Sequence, residues 1–498
     1  MKRDNYFDIA IIGGGAQATA FLSGIYLNSV NKNIDKKIRI IVIDKSENFG
    51  CGNVYNQDYS WILMNTPSTD LSIILNDKYD FKNWLETHCE KLELSKENKE
   101  YAPRKVFGFY LKERFDYFIK ELKNKNINII KKEALAKKIN LEDIENKIMI
   151  TLSTDEQIKC NFVVLAKGHD DLNDPYQLKG KENYIHNPFP AMHKLSNIPK
   201  ESTIGIIGSN LTAIDIAITL DKLGHKNFYL FSRGGKLPEV KGPYLKSEEP
   251  KFAKLKNFIA YKKENLTLKD LLKFIRKDFI QNQLDWRNTL FTKNKVEEKE
   301  AFLHKINLAK ESPTPFNIIL GIIPEIARTW RFVNKSEFNK FMNLYYYKIH
   351  QKHGAIPLVN AEIIADLLLK NKIYLKNNIQ LIEKKDQHFL IHSNNEILKC
   401  DFIINATGPL RKVCHQKQEL LHILCAQNFI NEIDIGGIIT NPKNGKILSI
   451  NELCQQKIVA IGHNAEGTHP FINNFAWIME TTNEVSLSLL NEVLHGKV

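Results

Sequence analysis

What the chain lacks excludes several classes at once. No apolar run approaches the roughly 18 residues that a membrane span needs, so no membrane partner is expected. The 7 cysteines, at 51, 89, 160, 400, 414, 425 and 454, form an odd, scattered set without a C-x-x-C pair. That spacing argues against a disulfide scaffold, a zinc site and the redox-active dithiol of a disulfide reductase. No Ser/His or His/Asp constellation is visible. His350 and His353 in HQKH could share a helix face, but they have no companion ligands and read as surface or packing residues. No low-complexity linker breaks the chain, so its domains are expected to interleave rather than to hang like beads. The start of the chain, with Asp4 and Asp8, leads straight into a glycine turn. It reads as a first strand instead of a secretory signal, which suggests the cytoplasm.

What is present is an ordinary globular composition spread over more chain than one core can use. At 498 residues two or three domains are expected. The formal charge of +13 raises the question of nucleic acid. The lysines, however, are dispersed among Asn, Glu and Ile, so they read as solvated faces that also suit anionic cofactors. No nucleic-acid partner is expected.

Short apolar strands alternate with helical patterns, the mark of an α/β protein. YFDIAIIGGGAQATAFLSGIYL reads strand, turn, helix, and IRIIVIDKS is a second strand ending in an acid. Helical spacing follows in DKYDFKNWLETHCEKLEL and VFGFYLKERFDYFIKELKNK. The alternations INIIKKEALA, KIMITLS and CNFVVLAKG suggest a small antiparallel set that returns to the first sheet. Residues 204–217, IGIIGSNLTAIDIA, open a second strand–turn–helix unit closed by NFYLFSR. From about 245 to 350, Leu, Phe, Trp and Tyr at helical spacing predict a helical insertion, with Trp286, Trp330 and Tyr345–Tyr347 assigned to packing. The predicted fold is therefore α/β, with two Rossmann-like dinucleotide-binding domains interleaved in sequence. Their boundaries are read as 1–170, 171–244, the insertion 245–355, completing strands 356–400, and a return to the first domain over 401–498.

In the first turn, Gly13 allows a sharp bend and Gly15 has no Cβ to keep a pyrophosphate from the helix N-terminus. Ala18 needs only to let helix and strand pack closely. Asp44 ends the second strand, where a carboxylate can accept hydrogen bonds from ribose hydroxyls. Two such units plus a return to the first sheet is the plan of a two-dinucleotide flavoprotein, with FAD on the first turn and NAD(P)H on the second. FVVLAKGHD and FIINATGPL share the form apolar strand, Ala, Lys or Thr, Gly, and suit the two crossings between the domains. On the second turn, Gly208 and Ser209 keep the outline while Asn210 stands where a second glycine is usual. Ser232 and Arg233, after the closing strand, would bind a 2′-phosphate and so favour NADPH. Asn tolerates left-handed backbone, so the turn can form. Its side chain is expected to crowd the pyrophosphate, leaving NADPH weakly held or shifted and FAD unaffected.

FGCGNVYN (49–56), LMNTPSTDLS (63–72), FKNWL (81–85), YAPRKVFGFYL (101–111), YIHNPFP (184–190), IIGSNLTAIDIA (206–217), SRGGKLPEV (232–240) and INATGPL (404–410) occur in an order more specific than any one of them. By these pieces the chain resembles the FAD/NAD(P)-binding family of bacterial flavoproteins that includes amino-acid N-monooxygenases, such as those making nitrosuccinate from aspartate. It is more distantly similar to ornithine and lysine N-hydroxylases. The resemblance implies FAD at Gly13, Gly15, Asp44 and Lys45, with Asn65 and Arg104 near the flavin as catalytic candidates. Gly408, Gly462 and Gly467 would help close the cofactor sites, and His463 stands where many FAD folds have an acid. It further implies that NADPH reduces FAD and that a peroxyflavin formed with dioxygen hydroxylates the amine of a small, amino-acid-like substrate. Arg104 and Lys105 would suit such an anion. A flavin-dependent dehydrogenase or oxidase, and a binding protein on the same fold, stay open as alternatives, as does a homo-oligomeric state.

Overall fold

A computed structural model describes residues 5–95, 99–142, 146–168, 171–242, 249–287, 297–311, 314–346, 349, 354–393, 396–415, 420–469, 471–472 and 475–496. Asp4, Tyr347, His350 and His353 lie outside these described residues. The chain divides into two units. The first comprises Met1–Ser60, Thr66–Asp171 and Pro409–Val498, and the second Trp61–Asn65 and Leu172–Gly408.

The first unit is built on a seven-stranded sheet. Its parallel part runs β3 (Ile127–Glu133), β2 (Ile38–Asp44), β1 (Tyr6–Ile12), β6 (Gln157–Leu165) and β17 (Ile458–Ala460). On the side away from β1 the long β6 serves two partners, because its first half pairs antiparallel with β5 (Lys147–Leu152) and its last residues pair with β17. β4 (Ala136–Glu142) closes the antiparallel edge. The alternating segment INIIKKEALA therefore splits. Ile127–Glu133 joins the parallel sheet beside β2, and only the strand from Ala136 belongs to the antiparallel set. Alternation reports which face is buried, not which neighbour a strand takes.

Helix α1 (Ala16–Ser29) is almost wholly buried, in keeping with its lack of a polar face. It lies against the C-terminal helix α12 (Phe475–His495), where Ser486 donates to the Phe21 carbonyl at 3.1 Å and leaves no room for a Cβ on Gly24. Helices α2 (Asp80–His88) and α3 (Arg104–Lys123) pack through Phe81, Phe107 and Tyr110. Cys414 and Cys425 are joined in a disulfide beside the short helix α11 (Leu420–Ala426). This one bridge is a feature that the scattered cysteine spacing did not announce.

The second unit has a five-stranded parallel sheet in the order β12 (Ile373–Lys376), β9 (Phe228–Phe231), β8 (Ile204–Ile207), β16 (Phe402–Asn405), β7 (Tyr184–Ile185). Helix α4 (Leu211–Lys222) follows β8, and a separate parallel pair is formed by β10 (Val240–Lys241) and β11 (Ile356–Pro357). A three-stranded sheet, β13 (Ile379–Lys385), β14 (His388–Ser393) and β15 (Glu396–Cys400), shares a core with it through Phe389, Ile391, Cys400 and Ile403. β16 lies in this second sheet, so the chain returns to the first unit at Pro409 and not at residue 401. An all-apolar strand carries no mark of which parallel sheet it will enter.

The insertion is helical: α5 (Leu255–Tyr261), α6 (Leu268–Gln281), α7 (Glu298–Glu311), α8 (Thr314–Thr329) and α9 (Lys335–Leu344), with α10 (Leu358–Leu369) leading back to the sheet. Trp330 and Tyr346 are core residues, whereas Trp286 is only half-buried beneath Arg287. Among the described residues no helix is long and apolar enough to cross a membrane.

Candidate functional site

Both glycine turns are made in the same way. Gly13 has φ +104°, and a Cβ there would stand 2.5 Å from the Ala166 carbonyl oxygen. Gly208 has φ +131°, with Ala406 O at 2.3 Å from its would-be Cβ. Their N–H groups donate to the next strand, to Ile43 O at 2.8 Å and Phe231 O at 2.7 Å. Only glycine fits where left-handed backbone and a carbonyl coincide. Ala166 and Ala406 belong to the paired segments LAKG and NATG, whose glycines, Gly168 and Gly408, both take positive φ (+69° and +85°) with open space around them. They lie next to two of the places where the chain changes unit.

In the first unit the structure groups Gly13, Gly15, Ala18 and Asp44 around the N-terminus of α1. Asp44 accepts from Gly14 N at 2.7 Å with one carboxylate oxygen, and from Ser46 N at 3.0 Å and Ser46 Oγ at 3.1 Å with the other. Ala18 is fully buried against the strand. Lys45 is exposed beside them. The segment Phe49–Gly52 forms a roof: Gly50 N donates to Gly14 O at 2.7 Å, and Thr19 Oγ1 donates to Gly50 O at 2.8 Å. A Cβ on Gly15 would come 3.3 Å from Gly52 Cα, so the roof as well as any phosphate favours glycine here.

The C-terminal loop reaches the same place. Asn464 accepts from Lys167 N at 3.0 Å and donates to Gly168 O at 3.2 Å. Gly462 (φ +56°) leaves room for Gln17 of α1, whose amide accepts from His463 N at 2.9 Å. Burial lowers the His463 imidazole pKa, with Glu466 opposing and Arg411 reinforcing that shift. Gly467 fits against Gly437 O, 2.4 Å from a would-be Cβ. Arg104 opens α3 after Pro103, in a first turn that holds no acid. Burial raises the pKa of Tyr55, and the nearby positive charge of Arg104 pulls it back.

The remaining candidates are in the second unit. Asn65 accepts from Lys241 Nζ through its backbone carbonyl, while its side-chain Oδ1 is buried with no partner among the described residues. Ser209 donates its hydroxyl to Lys236 O at 2.6 Å, and Ser232 N donates to Lys376 O at 3.0 Å. Arg233 and Asn210 are exposed. Asn210 has φ −94°, ψ −164°, close to the −84°, −159° of Gly15. The left-handed backbone that the sequence suggested for Asn210 is not needed, since the extended N-cap geometry suits any residue.

These arrangements fit dinucleotides. Neither α1 nor α4 has a side-chain cap or an acid in its first turn, so their leading N–H groups are left for an anion. Sequence reasoning missed Gly14, Thr19, Gly50, Gly52 and Asn464, although GGG and FGCG were signals in plain view.

Residues 10–170 match a family described as FAD-NAD(P)-binding. That match falls almost wholly within the first unit. No curated protein sequence matches the chain. Among solved structures, an ornithine hydroxylase from Pseudomonas aeruginosa is similar over 97% of this chain and 98% of its own, at 13% identity and a TM-score of 0.56. L-lysine 6-monooxygenase from Pseudomonas syringae shares 10% identity over 97% of this chain and 99% of its own, with a TM-score of 0.58. An ornithine N-hydroxylase from Kutzneria sp. 744, solved with reduced FAD, NADP+ and L-ornithine, gives 10% identity, 98% and 99% coverage and a TM-score of 0.56. At these identities the likeness shows a shared fold over nearly the whole chain.

Proposed function

We propose that the protein is a FAD- and NADPH-dependent oxidoreductase that hydroxylates the amine of a small, amino-acid-like substrate with dioxygen. The observation that carries this reading is the pair of uncapped glycine-turn helices, one followed by an acid at the end of the next strand and the other by Ser-Arg. The N–H groups at the start of α1 would hold the FAD pyrophosphate and Asp44 its ribose. Gly208, Ser209 and Asn210 would meet the NADPH pyrophosphate, and Ser232 and Arg233 its 2′-phosphate. Bound FAD would supply electron transfer from NADPH and the activation of dioxygen.

The chain's own groups would bind and orient. The orphaned Asn65 Oδ1 is a buried acceptor in want of a donor. Arg104 and Lys105 place two cations in the first turn of α3, where the helix dipole disfavours them. Such a local conflict suits an anion, either a phosphate or a substrate carboxylate. Hydroxylation, as opposed to simple dehydrogenation, is favoured by the whole-chain likeness to proteins named ornithine hydroxylase, ornithine N-hydroxylase and L-lysine 6-monooxygenase. A cytoplasmic location goes with the use of NADPH.

The test is direct. Purified protein should be yellow, release FAD on denaturation, and oxidise NADPH in the presence of ornithine, lysine or aspartate with formation of a hydroxylamine. Colourless protein with no releasable flavin overturns the reading. NADPH oxidation that yields only hydrogen peroxide, whatever amine is supplied, makes the protein an oxidase.

A further inference from the structure

The loop that follows β9, Ser232 to Leu237, is held at nearly every point except its tip. At one end Ser232 N donates to Lys376 O of β12 at 3.0 Å. Gly235, at φ +61°, lies against Asn377, whose Cβ and Nδ2 would each be 3.1 Å from a Cβ at that glycine. Lys236 O is taken by the Ser209 hydroxyl from the glycine turn. The last restraint comes from α7 of the helical insertion. Glu298 Oε1 accepts from Leu237 N at 2.8 Å, Lys305 Nζ donates to Leu237 O at 3.0 Å, and the two side chains approach to 3.5 Å.

Glu298 and Lys305 are seven residues apart, two turns of helix, and so share one face. Both are largely buried, with side chains 19% and 16% exposed. A buried acid and a buried amine that bond the N–H and the C=O of one residue form a two-pronged clamp. Neither prong works alone, because each also neutralises the other. Arg233 and Gly234 are the exposed tip that these restraints leave free.

We propose that α7 is a strap, with Glu298 and Lys305 as positioning residues that fix the loop so that Arg233 meets the 2′-phosphate of NADPH. The inference rests on the cofactor reading above and deepens it. The insertion does more than add bulk to the second unit: it sets which nicotinamide cofactor the unit prefers. A guanidinium grips a phosphate through a planar fork, and a fork is useful only when it is aimed. Loosening the loop therefore costs NADPH more than NADH, which has no 2′-phosphate to be aimed at.

The experiment compares kcat/KM for NADPH and for NADH, together with the Kd of NADP+ and of NAD+ measured by titration calorimetry, in the flavin-loaded wild type and in Arg233→Ala, Lys305→Met, Lys305→Arg and Glu298→Gln. Wild type should prefer NADPH, and Arg233→Ala should remove that preference. Lys305→Met and Glu298→Gln should lower the preference roughly tenfold through KM for NADPH. Their kcat, KM for NADH and flavin content should stay within about twofold, and Lys305→Arg should recover most of the loss. Glu298→Gln keeps the side-chain length and serves if Lys305→Met does not fold. If Arg233→Ala removes the preference while both strap variants retain it, the strap is overturned and the cofactor reading stands. If Arg233→Ala leaves the preference intact, the assignment of Arg233 to the 2′-phosphate fails and the strap fails with it, while NADPH use itself stands. A parallel loss with NADPH and NADH also overturns the strap, because it reports general damage.

Discussion

The two glycine turns have the same floor and different roofs. Gly13 and Gly208 are each pressed onto the carbonyl of an alanine that ends a neighbouring strand, and residues 15 and 210 share an extended N-cap geometry. Above the first turn the chain folds Phe49–Gly52 down onto Gly14 and Gly15, and Asp44 bonds the Gly14 amide. Above the second, Ser209 reaches to Lys236, and Asn210 and Arg233 face outward. Backbone sterics set the floor, so it repeats. The roof is where one turn becomes a closed socket suited to a resident cofactor and the other an open shelf suited to one that comes and goes.

The largest effect should come from breaking either floor. Gly13→Ala and Gly208→Ala each combine a left-handed φ with a Cβ inside 2.6 Å of a backbone carbonyl, and each should destabilise by about 3 kcal/mol. Thermal unfolding read by circular dichroism checks the size. Flavin content checks the comparison: Gly13→Ala should lose bound FAD, and Gly208→Ala should keep it while losing reduction by NADPH. Equal loss of flavin in both would mean that the turns do not serve separate ligands.

Next in size is the acid of the first roof. Asp44→Ala leaves the Gly14 and Ser46 amides without their acceptor and takes away the carboxylate proposed for the ribose. A charged hydrogen-bond partner of this kind contributes about 2 kcal/mol, so FAD affinity should fall roughly thirtyfold. Titration of the stripped protein with FAD measures it. An unchanged affinity would show that Asp44 serves the turn and not the cofactor.

The floors were legible in the sequence because they depend on local order: an apolar strand, glycine at the bend, small residues on the helix. The LAKG and NATG pair likewise betrayed the crossings, since each ends a strand that must support a turn from the other side. What escaped depends on partners far along the chain. Trp61–Asn65 sits with the second unit through Trp61 on Thr219 and Lys241 on the Asn65 carbonyl, bonds that span 158 and 176 residues. The clamp of Glu298 and Lys305 on Leu237 spans 61 and 68 residues, and in sequence both look like helix-surface charges. β3 was misplaced because alternation says nothing of strand direction.

The smallest effect concerns Asn210, the residue that made the second turn look damaged. The sequence suggested a side chain crowding the pyrophosphate, with left-handed backbone tolerated. In the structure φ is −94° and the residue is exposed. An exposed Asn can rotate its amide away at the cost of a rotamer, and its amide can also donate to a phosphate oxygen. Glycine at an N-cap is nearly as good as Asn, worse by only a few tenths of a kcal/mol. Asn210→Gly should therefore leave stability almost unchanged and tighten NADPH by no more than about threefold. Binding measured on the flavin-loaded protein decides it. A tenfold gain would restore the crowding argument and make the second turn a weakened site. A small change makes Asn210 an acceptable tenant of an open shelf, because the glycine of the first turn answers to its roof as much as to a phosphate.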